Sequence, residues 1–195
     1  MTQNVLLEQT ANSYLKKTNL PPASEVTSAL LEAEKATKKQ KVSYSFEQLI
    51  GTWHLCFVTG TKRKKTGVSI GKGQYLPRFI KIYLSYYSRE KSVENQGKVE
   101  NCVNLGLLQI SLTGPVKFLA PKNILAFDFT RMKLKLFGVT LYDGYIRSGE
   151  TKEASFYTDK ISQQAFFNYF YLSPSAIAAR GRGGGLALWC KASNH

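Results

Sequence analysis

The chain is poor in the side chains from which most catalytic and metal centres are built. It has two histidines, His54 and the terminal His195, and three cysteines, Cys56, Cys102 and Cys190. So few imidazoles leave little with which to assemble a hydrolytic triad or a histidine-rich metal site. The cysteines are odd in number, far apart and never in a C-x-x-C pair, which argues against a disulfide framework and against zinc. Buried free thiols in a reducing compartment are the expectation, with no metal or cofactor. No apolar run approaches the roughly 18 residues of a spanning helix. Glu8 and Asn12 interrupt the N-terminus where a secretory signal needs an apolar stretch, so a cytoplasmic or peripheral membrane location is expected and secretion is not. Acidic residues are also scarce, 13 against 27 Lys and Arg, for a net charge of +14. Residues 1–50 hold six basic and five acidic side chains, so +13 of that charge falls on residues 51–195. A field of that sign suits an anionic membrane surface, nucleic acid or acidic ligands.

What is present divides the chain in two. Residues 1–44 read as a helical segment: a first helix near Thr2–Lys17, stopped by Pro21-Pro22, and a second capped by Ser24 with Val26, Ala29, Leu30 and Ala33 on one face. Residues 45–195 read as one β domain. Trp53, Leu55 and Phe57 alternate on the first strand after Gly51. Ile80, Ile82, Leu84 and Tyr86 alternate on another strand. Leu125, Phe127 and Phe129 do so again, and then Met132, Leu134 and Leu136 with the opposite parity, which calls for a bulge or tight turn near Thr130-Arg131. Asp143-Gly144 is expected to be a two-residue hairpin turn, and Ile177–Arg180 with Leu186–Lys191 a closing hairpin. Eight to ten such strands predict a mainly β fold, an antiparallel lipocalin-like barrel with an N-terminal helical segment and room for one small ligand.

Two motifs look like nucleotide or RNA sites and are better read otherwise. Gly67-Val68-Ser69-Ile70-Gly71-Lys72 is one residue short of a phosphate loop and lacks the following Ser or Thr. Arg180-Gly181-Arg182-Gly183-Gly184-Gly185 is a single RGG-like run wedged between strands, so nucleic acid is not the expected partner. Arg131, Lys133 and Lys135 leave one face of one strand, and with Lys62, Arg63, Lys64 and Lys65 they form the expected docking face for an anionic membrane. Asp128, between two phenylalanines, is expected to point outward.

The run Leu49-Ile50-Gly51-Thr52-Trp53-His54-Leu55-Cys56-Phe57-Val58-Thr59 resembles the L-x-G-x-W-x-L-x-Y-T start of the plastid lipid-associated proteins, the fibrillins of plastids and cyanobacteria. The run from Tyr171-Leu172-Ser173-Pro174 to Arg180-Gly181-Arg182-Gly183-Gly184 is similar to that family's Y-L-D-x-x-L-R-I-x-R-G-x-G-G, with Ser173 and Ser175 in place of acidic residues. The resemblance implies a barrel that binds a small lipophilic molecule (a quinone, carotenoid or acyl lipid) without catalysis, at thylakoid membranes or lipid bodies. The lack of a transit peptide is similar to a cyanobacterial member, with a structural or protective role in photosynthesis. The expected cavity is lined by Leu55, Phe57, Ile82, Phe127 and Phe129. A structural plug is expected at Gly51 and Trp53, with Arg180 or Arg182 stacked on the indole. The alternatives are a lipocalin-like bilin lyase that handles a chromophore, and a basic RNA-binding barrel.

Overall fold

The helical segment forms as α1, Gln3–Lys16, and α2, Ala23–Gln40. Helix α2 is capped two residues before the expected Ser24, by Pro22, whose restricted φ suits a helix entry. A 3₁₀ turn at Glu47–Leu49 then delivers the chain to the sheet. The computed structural model describes residues 2–64, 67–88 and 94–192, with only the backbone described at 62–64 and 67–69. The strands are β1 Gly51–Lys64, β2 Gly67–Tyr75, β3 Ile80–Ser88, β4 Gln96–Leu105, β5 Leu108–Leu119, β6 Ile124–Phe127, β7 Arg131–Leu136 and β8 Val139–Tyr145. A short helix α3, Gly149–Ser155, precedes β9 Ala165–Leu172, β10 Ala176–Gly181 and β11 Leu186–Lys191.

All pairings are antiparallel among the described residues. Strands β4, β3, β1, β11, β10, β9, β6 and β5 follow one another around the sheet, and β5 pairs back onto β4 to close an eight-stranded barrel. Strand β2 is a hairpin partner of the distal half of β1. Strand β6 pairs with the last residues of β5, Val116 to Leu119, and β7 with the first, Leu108 to Thr113. Between them, four steps from Phe127 to Arg131 oppose three from Val116 to Thr113, which is the one-residue bulge that the parity slip demanded. The bulge crosses so close to Gly114 that a Cβ there would sit 1.9 Å from the Asp128 carbonyl oxygen.

Two apolar cores lie on the two sides of the barrel wall. Inside are Phe46, Leu49, Trp53, Leu84, Tyr86, Val99, Val116, Phe118, Leu125, Phe127, Tyr169, Ile177, Ala179 and Trp189. Outside, α1 and α2 press Leu7, Ala11, Tyr14, Val26, Ala29, Leu30 and Ala33 onto Cys56, Phe57, Phe170, Ala176, Ala178, Leu188 and Cys190. Glu34 of α2 joins the wall electrostatically: it is buried, meets Lys38 at 2.9 Å, and takes a two-pronged guanidinium from Arg180 of β10. Burial opposes its ionisation, but those hydrogen bonds outweigh it and hold the carboxyl below the ordinary value.

Three expectations are corrected. In β1, Leu55 faces Trp189 but Phe57 faces Leu188, so an extra residue turns Phe57 out of the barrel and under the helices. Asp143-Gly144 lies inside β8, and the hairpin turns instead at Phe137-Gly138, both with positive φ. Gly67 to Lys72, the phosphate-loop-like run whose departures from that motif left a flexible loop as the expectation, lies instead in the strand β2.

Candidate ligand-binding mouth of the barrel

The end of the barrel where β1 begins is sealed, and here called the floor. The 3₁₀ turn drops Phe46 and Leu49 into it, and the Trp53 indole fills the centre at 1% exposure while donating Nε1–H to the Leu49 carbonyl at 2.7 Å. The plug is completed by Lys191 rather than by Arg180 or Arg182. Its Nζ stands 4.1 Å from the Trp53 ring centroid and donates to the Ile50 carbonyl at 3.2 Å. Gly51 makes the space: its φ is +122°, and an added Cβ would lie 2.4 Å from that ammonium. Burial pulls the Lys191 pKa below its ordinary value. The buried hydroxyls of Tyr86 and Tyr169 share a 2.7 Å hydrogen bond, and burial drives both pKa values up.

The opposite end carries no equivalent plug among the described residues. Above the bulge β7 replaces β6 beside β5, and among the described residues β8 pairs with β7 alone. The wall is therefore not continued to β9 at this level. The inward-facing residues respond: Leu55, Ile82, Val103, Ile110, Leu112, Phe129, Phe167 and Ala187 are half-buried, although they occupy the same faces as fully buried residues nearer the floor. Phe127 links the two levels, its ring 5.3 Å from Phe129 and 4.9 Å from Phe167. Of the five residues expected to line a cavity, Leu55, Ile82, Phe127 and Phe129 thus share the interior and Phe57 does not.

One polar side chain interrupts this surface. Asn101 lies between Leu84 and Leu112 on the inward face, and its Oδ1 is buried without a hydrogen-bond partner. A carbonyl oxygen without a partner is costly in an apolar wall, and it is an acceptor for a donor supplied from the mouth. The inward faces of the described strands otherwise carry no carboxylate and no imidazole. The signal for Asn101 was present in the sequence, a lone amide at inward parity between Val99 and Val103.

Comparison with protein families, with curated proteins and with solved structures returns no match for this chain.

The arginines of the RGG-like run are engaged structurally. Arg180 holds Glu34 and the Gly184 carbonyl, and Arg182 donates to the carbonyls of Gln164 at 2.9 Å and Ser162 at 2.7 Å. Arg131, Lys133 and Lys135 do share the outer face of β7. Asp143 of β8 stands among them, 2.9 Å from Lys133 and 3.9 Å from Arg131, and Arg131 lies over the Tyr145 ring. The stripe is thereby partly neutralised. Lys65 and the side chains of Lys62, Arg63 and Lys64 lie outside the described residues. Asp128 meets Lys152 of α3 at 3.9 Å. His54 sits on the outer wall between the rings of Tyr14 and Tyr83, and burial, aided by Lys81, keeps its pKa low. The buried thiols of Cys56 and Cys190 donate to the carbonyls of Leu188 and His54. Burial and the neighbouring Cys190 push the Cys56 pKa up, away from reactive thiolate.

Proposed function

We propose that this chain binds a small lipophilic molecule, without catalysis, in the open half of its barrel while resting peripherally on an anionic membrane. The observation that supports this reading most is the contrast along single strands. Apolar side chains fill the interior at the floor, and equally apolar ones stand accessible at the mouth, around one unpaired amide. A concave apolar wall with few, placed polar groups is the common form of a small-molecule site. The Asn101 amide favours a ligand with one hydroxyl or other donor on an otherwise apolar body. The resemblance of the two end motifs to plastid lipid-associated proteins points the same way and suggests a quinone, carotenoid or acyl lipid at a thylakoid membrane or lipid body.

The test is mass spectrometry of an organic extract of natively purified protein, joined to titration with a fluorescent acyl probe. A defined co-purifying lipophile, displaced by the probe, is expected. Ile82→Phe should fill the mouth and weaken probe binding about tenfold or more, the loss of roughly 1.4 kcal/mol, with little change in melting temperature. An empty extract together with no saturable probe uptake overturns the reading.

A further inference from the structure

We propose that the barrel meets the membrane with the rim of its mouth, by inserting the tips of the β4–β5 and β7–β8 hairpins into an anionic bilayer. This rests on the membrane reading above and specifies its contact. Five neighbouring strand ends reach the rim in register: Ile80 pairs with Leu105, Leu105 with Leu108, Leu108 with Leu136, and Leu136 with Val139. The turns beyond them touch, the Phe137 N–H donating to the Leu107 carbonyl at 3.0 Å. At these tips the chain exposes what it buries elsewhere. Phe79 is 77% and Phe137 70% exposed, and Leu107, Val139 and Leu141 are more than half exposed. A contiguous apolar rim of this kind marks an interaction surface.

The backbone of the tip argues that the aromatic is not incidental. Phe137 has φ 52° and Gly138 φ 80°, the geometry of a two-residue turn that favours Asn-Gly. A bulky side chain in the left-handed region is an outlier, so the turn would be easier to form without that ring. Charge selects the occupant. The segments 77–81, 104–109 and 134–142 that build the rim contain Arg78, Lys81 and Lys135 and no Asp or Glu, while Lys133, one residue further from the tip, is paired with Asp143. Apolar tips ringed by cations match the acyl and headgroup layers of an anionic bilayer, where each adds attraction of its own kind. A rim seated there would also open the half-buried interior directly to lipid.

The experiment uses the full chain and vesicles of phosphatidylcholine with or without phosphatidylglycerol. Phe137→Asn paired with Leu107→Gln removes the apolar tips, and Asn suits the turn better than Phe, so the fold should be kept, as judged by an unchanged circular dichroism melt. Partition onto phosphatidylglycerol vesicles should fall at least tenfold. Separately, Phe137→Trp should show a blue-shifted emission component that appears on adding vesicles and is quenched by lipids brominated in their acyl chains. If the parent binds such vesicles but neither substitution alters binding or emission, the rim is not the contact, and the membrane reading stands on another face. If the parent binds no vesicle at low salt, both fail. If the double variant instead abolishes a lipid-independent dimer of the parent, the rim is a self-association surface and the proposal is overturned.

Discussion

The floor and the mouth of the barrel are made from the same strands with the same alternation, and they differ in what closes over them. At the floor, the 3₁₀ turn supplies Phe46 and Leu49, Gly51 lets Lys191 cover the Trp53 ring, and the interior is sealed. At the mouth, one bulge after Phe127 sends the chain away from β9, and no equivalent lid descends among the described residues. Hydrophobic content thus gives stability where water is excluded and an accessible surface where it is not, since burial gains scale with the area removed from water.

That contrast can be broken from the floor first. Trp53→Ala should destabilise the fold by about 3–5 kcal/mol in chemical denaturation, as for other buried large aromatics, whereas Leu55→Ala, one turn of the pleat nearer the mouth, should cost only about 1 kcal/mol. Equal losses at both positions would mean that the two ends are equally packed. The next largest effect concerns the helices on the outer wall. Glu34→Gln leaves Arg180 facing a neutral partner and should cost about 2 kcal/mol, below the usual figure for a broken buried pair because Arg180 keeps part of its hydration. The sign with pH follows from the lowered carboxyl pKa. The contribution of Glu34 is complete above its ordinary value of 4.5 and is lost as pH falls through the lower folded value. Acid unfolding of the parent should therefore be steeper than that of the glutamine variant, which urea midpoints measured across this range would show. The smallest effect is expected at the basic stripe. Replacing Arg131, Lys133 and Lys135 by Gln should leave the denaturation midpoint almost unchanged, because these are exposed, solvent-screened pairs. It should reduce vesicle binding less than loss of the rim aromatics. A larger drop than that of the tip variant would make the stripe, rather than the rim, the membrane contact.

Period-two patterning carried most of the barrel, because alternation is a local consequence of the pleat. It even located the bulge before Arg131, since Phe129 and Met132 cannot otherwise both face inward. It missed the bulge in β1, where Cys56 and Phe57 are both apolar and the extra residue leaves no polar marker on either face. The hairpin turn at Phe137-Gly138 was hidden for a related reason: Phe is not a turn residue, and Asp143-Gly144 looked better by composition. The partner of Arg180 lies 146 residues away in α2, and nothing local distinguishes an arginine that pairs through space from one that stacks on a ring. Lys191 was legible only in combination with Gly51, whose missing side chain is the vacancy the ammonium fills.

Both tryptophans of the chain lie in the inner core, Trp53 at the floor and Trp189 one layer higher, opposite Leu55 and 5.4 Å from the Phe167 ring. Tryptophan emission, excited beyond the tyrosine band, therefore reads the barrel's interior and not the outer helical layer. A molecule entering the mouth reaches Trp189 first. One that quenches only by contact should remove the Trp189 share of the emission and keep most of Trp53's, and a Trp189→Phe variant should lose most of its response to binding while still reporting unfolding.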